Sequence, residues 1–221
     1  MADHLEDDEQ VEALKRWWDE NGRSTVVAVV LAVAGTLGWQ QYQGWTAGQA
    51  EMAADAWMSI QAQLQSEDPA QVAEGRQLAE SLKDAHSSTT YARFAAMQLA
   101  ALNVAAGDFD GAEQELRWAL GKEDPQSEMG QLIQLRLARV LAAKGDEATA
   151  LQILGAGSTD YTAAYATARG DIHLAAGRQQ EALDAYLEAR AAMLALGNPP
   201  GLLDTKITSL ESRLTGSGEA S

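Results

Sequence analysis

The side chains that most often do chemistry are few in this chain and poorly placed for it. Histidine stands at His4, His86 and His173, with no i,i+4 pair and no HExxH, and cysteine is absent. Metal ligation needs several donors within reach of one another, and this spacing offers them one at a time. The missing cysteine removes disulfides, thiolate nucleophiles and sulfur-ligated metal together. No GxSxG elbow, phosphate-cradling glycine loop or dinucleotide fingerprint occurs. Carboxylates are abundant, 32 Asp and Glu against 16 Lys and Arg for a net charge of -16, so paired acids say nothing about acid–base catalysis. Residues 1–23 hold eight acidic and three basic residues and the rest of the chain 24 and 13, so both halves are acidic. Neither has the basic footprint that phosphate backbones require, which excludes nucleic acid as a partner. The expectation is a protein with no catalytic residues, no cofactor and no metal.

What the chain does repeat is a packing pattern. Three blocks align on turn glycines Gly107, Gly145 and Gly177, spaced 38 and 32 residues apart. Seven residues before each glycine stands a small residue: Ala100, Ala138, Gly170. Five after it stands Ala112, Ala150 or Ala182, nine after it Leu116, Leu154 or Tyr186, and twelve after it Ala119, Gly157 or Ala189. Small residues let two helices cross closely, the glycine supplies a left-handed turn, and the large residue fills the gap to the next unit. This resembles the tetratricopeptide repeat, a pair of antiparallel helices per unit of about 34 residues. Such a stack curves so that the first helix of each unit lines a concave face. Counted back from each glycine, the positions that line this face in the repeat family are Phe94, Met97, Ala101 and Val104, then Leu132, Leu135, Arg139 and Ala142, then Ala164, Thr167, Asp171 and Leu174. The row is mostly apolar and lacks the Lys and Asn that clamp a peptide's terminal carboxylate, so its expected ligand is unfolded, apolar polypeptide; the alternative is that these residues pack against the helices of 46–84, which then fill the groove. His173, three residues after Gly170, is expected to pack or to line that groove.

The elements that carry this groove begin with an apolar run. No charged residue occurs from Ser24 through Ala50, and the most apolar part is STVVAVVLAVAGTLGW, Ser24 to Trp39. Trp17 and Trp18 precede it and Trp39, Tyr42 and Trp45 follow. From Trp18 to Trp39 a helix rises about 31 Å, which matches a hydrocarbon core of roughly 30 Å with aromatic rings at both interfaces. A cleaved signal peptide ending at Ala32-Val33-Ala34 fits poorly with the long acidic segment before it. A core or interfacial helix would carry charge on one face. The run reads as a single transmembrane helix in contact with membrane lipid, and Ala28, Ala32, Ala34, Gly35 and Gly38 offer small surfaces for close helix packing in the bilayer. Lys15, Arg16 and Arg23 lie before it, and the next basic residue is Arg76, so the N-terminus is expected in the cytoplasm and the repeats outside.

The expected domains are a cytoplasmic acidic tail at 1–23, the anchor at 24–45, a periplasmic repeat domain at 46–214 and a disordered tail at 215–221. In the first, Val11, Leu14, Trp17 and Trp18 suggest a short amphipathic helix ended by Asn21-Gly22. Gly44 and Gly48 suggest either close helix packing or a flexible exit linker. A helix is expected from Thr46 to Gln65 with Met52, Ala56, Ile60 and Leu64 on one face, then another after Pro69 with Val72, Leu78 and Leu82, ended before the loop His86–Thr89. Asn198-Pro199-Pro200 opens a last helix whose Leu202, Leu203, Ile207, Leu210 and Leu214 cap the stack. The fold class is all-α, one N-terminal transmembrane helix followed by a tetratricopeptide-like right-handed helical solenoid.

Gln10-Val11-Glu12-Ala13-Leu14-Lys15-Arg16-Trp17-Trp18 with Glu20-Asn21-Gly22, the span ending LGWQQY, and LRLARV from Leu135 to Val140 resemble the YfgM family of ancillary SecYEG translocon subunits. The resemblance covers nearly the whole chain. It implies a bacterial inner-membrane protein that works beside the membrane-anchored prolyl isomerase PpiD and assists exported, unfolded polypeptides leaving the translocon, with no catalytic residues to carry over. Two other roles compete with it. One is a scaffold that tethers periplasmic assemblies without binding clients, and the other is a regulator acting through the cytoplasmic tail.

Overall fold

The computed structural model describes the backbone of residues 3–158 and 160–218, and within them the side chains of residues 12, 15–158 and 160–215. Among these residues the elements are all helices: α1 Asp3–Leu64, α2 Pro69–Ala85, α3 Thr90–Ala105, α4 Phe109–Leu120, α5 Glu128–Lys144, α6 Glu147–Gly155, α7 Thr162–Ala175, α8 Gln179–Ala195 and α9 Leu202–Gly218. The chain divides into two units, Met1–Met52 and Ala53–Ser221.

The first unit is helical past the points where breaks were expected. Asn21-Gly22 does not end a helix. The Asn21 amide donates to the Trp17 carbonyl at 3.2 Å, and the Ser24 and Thr25 hydroxyls donate to the Asn21 carbonyl at 2.8 and 3.0 Å, so local polar groups bond along the helix rather than turn it. The Trp18 indole covers Gly22, where a Cβ would stand 3.1 Å from the ring. Gly44 and Gly48 form no linker either, since each isolated glycine costs a helix only about 1 kcal/mol and its neighbours are good helix formers. The helix expected to start at Thr46 is therefore part of α1. From Val26 to Trp45 every side chain is exposed, Leu31 to 68%. One 18-residue window of the helix is apolar enough to cross a membrane and is 6% buried, unlike the core helix of a globular domain. The side chains of His4, Val11 and Leu14 lie outside the described residues.

The second unit follows the glycine pattern closely. Gly107, Gly145 and Gly177 have φ of 76°, 93° and 76°, the left-handed region each turn requires. Asp108 and Asp146, next to the first two glycines, cap α4 and α6 by accepting from the backbone N–H of Gly111 at 2.9 Å and of Thr149 at 3.2 Å. Thr89 and Asp68 do the same for α3 and α2, as their sequence positions imply. The recurring small and large residues are buried at every aligned position except Gly157. Gly157 lies beyond the end of α6 with φ 84°, so the second unit turns where the other two continue as helix.

Three apolar clusters run along this unit. Ala53 and Ile60 of α1 meet Ala79, Leu82, Ala95 and Leu99, and a Cβ on Gly75 would stand 2.8 Å from Leu64, so that glycine lets α2 lie against the end of α1. A central cluster joins α3 to α7 through Leu116, Ile133, Leu137, Leu141, Leu154 and Tyr165. The last joins α7, α8 and α9 through Tyr186, Leu203, Ile207 and Leu210. Consecutive helices pack from α2 to α9, and α5 also packs on α7, the geometry of stacked hairpins. Met52 and Leu78, expected on inner faces, are exposed, and Trp57 is half-buried in their place. Leu202 is 85% exposed because α9 starts there, later than Pro199-Pro200, and turns Leu203 inward instead. The helix continues to Gly218, past the expected start of a disordered tail at 215.

Candidate functional site

The repeat hairpins place the first helices, α3, α5 and α7, side by side, and the candidate groove residues divide among three places on them. Ala101 and Val104 of α3 and Arg139 of α5 line one recess of about 420 Å³. Met97 forms part of its floor but belongs to the central cluster and is only 5% exposed. The recess is completed by Gln98 and Ala100 of α3, Phe109 and Leu116 of α4, and Arg136, Val140 and Ala143 of α5. Leu174 of α7 lines a separate recess of about 360 Å³ with Leu202, Thr205, Lys206, Ser209, Leu210 and Arg213 of α9. The remaining candidates do not reach either recess. Phe94 stacks with Trp57 at 5.9 Å and meets Tyr91 edge-on at 6.1 Å, so the end of α1 covers it. Leu135 is 4% exposed and belongs to the central cluster. Leu132, Ala142, Ala164 and Thr167 are half-buried, and the Thr167 hydroxyl donates to the Ala163 carbonyl at 2.7 Å.

Asp171 is exposed but engaged. Its Oδ1 accepts the Tyr186 hydroxyl at 2.6 Å and the Lys206 ammonium at 2.5 Å, tying α7 to α8 and α9. Burial, with the carboxylate beside it, pushes the Tyr186 hydroxyl well above the usual tyrosine value. His173 is half-buried, and its Nδ1 accepts the Arg178 Nε–H at 2.9 Å, so the ring serves the turn into α8. Burial and the neighbouring Arg178 cation hold it below its ordinary value, in the neutral form that accepts this bond. The Tyr165 hydroxyl donates to the Gln131 carbonyl at 2.9 Å, and burial pushes it up to about 12. Buried Gln131 in turn accepts from the Ser158 hydroxyl and the Asp160 N–H, joining the first turn of α5 to the loop that precedes α7. These groups hold the stack together, and none is arranged as an acid–base pair.

The sequence pattern missed Arg136, Val140 and Ala143, and the reason is geometric. The recess lies between two neighbouring helices, so α3 contributes the flank turned toward α5 and α5 the flank turned back toward α3. Relative to their turn glycines these flanks are one residue apart, Ala101 and Val104 at six and three before Gly107, Val140 and Ala143 at five and two before Gly145. One residue is about 100° of helix. The spacing of Arg136, Arg139, Val140 and Ala143 is the i, i+3, i+4, i+7 of a single helical face, which was available as a signal.

Comparison with known proteins gives a consistent picture. A family model described as a tetratricopeptide repeat-like domain matches residues 15–212. A protein of Haemophilus influenzae named "Ancillary SecYEG translocon subunit" is 30% identical over 86% of this chain and 91% of its own length. One of Neisseria gonorrhoeae with the same name is 28% identical over 96% of this chain and 100% of its own. No solved structure matches the chain.

Proposed function

The chain belongs to the YfgM family of tetratricopeptide repeat-like proteins, and on that premise we propose that it is a non-catalytic accessory of the SecYEG translocon that holds unfolded segments of exported polypeptides. In this reading the segment 24–45 is a single span in the bacterial inner membrane, with the tail in the cytoplasm and the repeats in the periplasm. Lys15, Arg16 and Arg23 before the span, with no basic residue until Arg76 after it, support that orientation. The span's small residues are the surface offered to the translocon and to a membrane-anchored prolyl isomerase such as PpiD.

The observation that carries the reading is the recess between α3 and α5, a concave apolar surface with Phe109, Leu116 and Val104 in its lining. Its volume is that of a site able to take side chains of a bound segment, roughly 300 Å³ or more. Burying a few hundred Å² at about 25 cal/mol per Å² is several kcal/mol gross, most of it offset by ordering the client. The affinity that remains is micromolar or weaker, which suits a transient hold. A photo-crosslinking residue at Val104, tested in intact membranes with an exported chain arrested in the translocon, is expected to capture that chain, whereas one at exposed Gln152 on α6 is not. Equal capture from both positions, or from neither, sinks the reading.

A further inference from the structure

We propose that the recess between α3 and α5 selects apolar segments that also carry a side-chain carboxylate, bound by Arg136 and Arg139. The proposal rests on the reading of this recess as a polypeptide site and names the chemistry it prefers.

The two arginines stand apart from most cations of the repeat unit. The protein has twice as many acidic as basic residues, and of the thirteen Lys and Arg from α2 onward eight pair with a carboxylate among the described residues. Lys83 pairs with Glu115, Arg93 with Glu123, Lys144 with Asp110 and Glu113, Arg178 with Glu147, and Lys206 with Asp171. Arg136 and Arg139 are exposed and make no ion pair or hydrogen bond among the described residues. No carboxylate stands three or four residues from either of them on α5, where Leu132, Ile133, Leu135, Val140, Ala142 and Ala143 occupy those positions. They are instead three apart from each other, on one helical face, so each raises the potential at its neighbour. Two like charges side by side, with none of the plentiful local acids turned toward them, form a positive edge in an otherwise negative surface.

That edge borders a specific surface. Both arginines line the same recess as Met97, Val104, Phe109 and Leu116. An occupant that fits both features places an aliphatic or aromatic side chain over the apolar lining and an Asp or Glu a few residues along at the α5 rim. Guanidinium matches carboxylate geometrically, with two parallel N–H donors for two oxygens. A side-chain carboxylate is favoured over a chain terminus because a polypeptide still leaving a translocon presents its interior, not its end. The surrounding negative charge acts in the opposite sense by repelling strongly acidic segments, so the preference is for isolated carboxylates within apolar sequence.

The test uses the full chain in a nanodisc of zwitterionic lipid and fluorescence anisotropy of labelled ten-residue peptides. All share one Leu- and Phe-containing frame with an amidated end and carry two Asp, two Asn or two Lys; a fourth has two Asn and a free terminal carboxylate. The Asp peptide is expected to bind about tenfold more tightly than the Asn peptide, about 1.4 kcal/mol, with the advantage shrinking as salt rises. In R136Q/R139Q the Asp advantage is expected to disappear, so that the Asp and Asn peptides bind alike. Equal binding of the Asp and Asn peptides to the unaltered chain overturns the proposal and leaves the apolar groove intact. A free-terminus peptide that outbinds the Asp peptide overturns it in favour of terminal-carboxylate capture. If no peptide binds, the groove itself is refuted and the proposal falls with it.

Discussion

Gly170→Ala tests whether the helix crossing inside the third hairpin is as close as the recurring small residue implies. Gly170 sits seven residues before Gly177, where α7 crosses α8, and a Cβ there would stand 2.4 Å from both Cδ1 and Cε1 of Tyr186. That is a full ångström inside ordinary contact, which begins at 3.4 Å. The ring has little room to give way. It is 0% exposed, its hydroxyl is bonded to Asp171 at 2.6 Å, and the Lys206 ammonium lies 5.2 Å from its centroid. Overpacking of this kind costs about 1–3 kcal/mol, against about 1 kcal/mol gained by replacing a mid-helix glycine with alanine. With a contact this short the overpacking cost falls at the upper end, about 2–3 kcal/mol, so the net is a destabilisation of about 1–2 kcal/mol, or a Tm lower by roughly 3–6 °C for a domain of this size. The assay is thermal unfolding of the detergent-solubilised full chain, followed in the near ultraviolet so that the exposed span does not mask the repeats. Gly155→Ala on α6, where nothing lies within 4 Å of the added carbon, is the control and is expected to leave Tm unchanged or raise it. Gly170→Ala combined with Tyr186→Leu is expected to cost about 1 kcal/mol less than the sum of the two single changes, because leucine removes the clash. A Gly170→Ala chain as stable as the parent, with additive double-mutant energies, refutes the close crossing.

Met97→Glu and Leu135→Glu are each expected to abolish cooperative unfolding of the repeats, since both side chains are buried and an unpaired buried carboxylate costs several kcal/mol. Val104→Glu, at a position 40% exposed on the recess, is expected to keep Tm within about 2 °C and weaken binding of an unfolded test protein. Glu113 is held below its ordinary value of 4.5 first by the Lys144 hydrogen bond and then by Arg117. Its contribution is therefore complete above about pH 4.5 and lost as pH falls through the lower folded value, so Glu113→Gln is expected to flatten the acid limb of a stability–pH curve. Tyr165, raised from 10.0 to about 12, contributes fully below pH 10 and loses that contribution as pH rises toward 12. Tyr165→Phe is expected to make this alkaline limb shallower without removing it, because Tyr186 is raised for the same reason. In the span, at about 100° per residue, Ala28, Ala32 and Gly35 fall within about 60° of one another, while Ala34 and Gly38 lie on a flank about 110° away. Leucine at 28 and 35 is expected to reduce co-purification with SecYEG more than leucine at 34 and 38, and an unchanged yield from both would move docking to the repeats.

The hairpins were legible because their determinants are local. A glycine with positive φ and a small residue seven places earlier each act within one or two helical turns, so Gly107 and Gly145 could be read directly, while the capping Asp108 and Asp146 beside them went unread. The expected breaks at Asn21-Gly22 and Gly44-Gly48 were misread for the complementary reason. Glycine and asparagine favour a turn only when the surrounding helix is too weak to absorb them. Within α1 the chain continues as helix through both sites, and the Asn21 side chain bonds to the Trp17 carbonyl on the helix itself. Gly157 is the mirror case. Aligned as a small helical residue, it acts as a turn because α6 has already ended at Gly155.

The recess was only half legible, and the half that was lost shows what a repeat pattern can and cannot specify. Offsets from the turn glycine fix which residue of a helix points along the radius of the stack, and that direction is shared by α3 and α5. A recess between the two helices is not radial, so it takes a flank from each, and the same offset cannot name both. On α3 the shared offset and the inward flank coincide at Met97, Ala101 and Val104. On α5 they differ by one residue, which replaces Leu132, Leu135 and Ala142 with Arg136, Val140 and Ala143 and leaves Arg139 common to both. The consequence is chemical as well as geometric. Read at the shared offset, the α5 wall is leucine and alanine with a single arginine. At the flank that borders the recess it carries two guanidinium groups, and the surface that looked indifferent to charge acquires a preference for carboxylate.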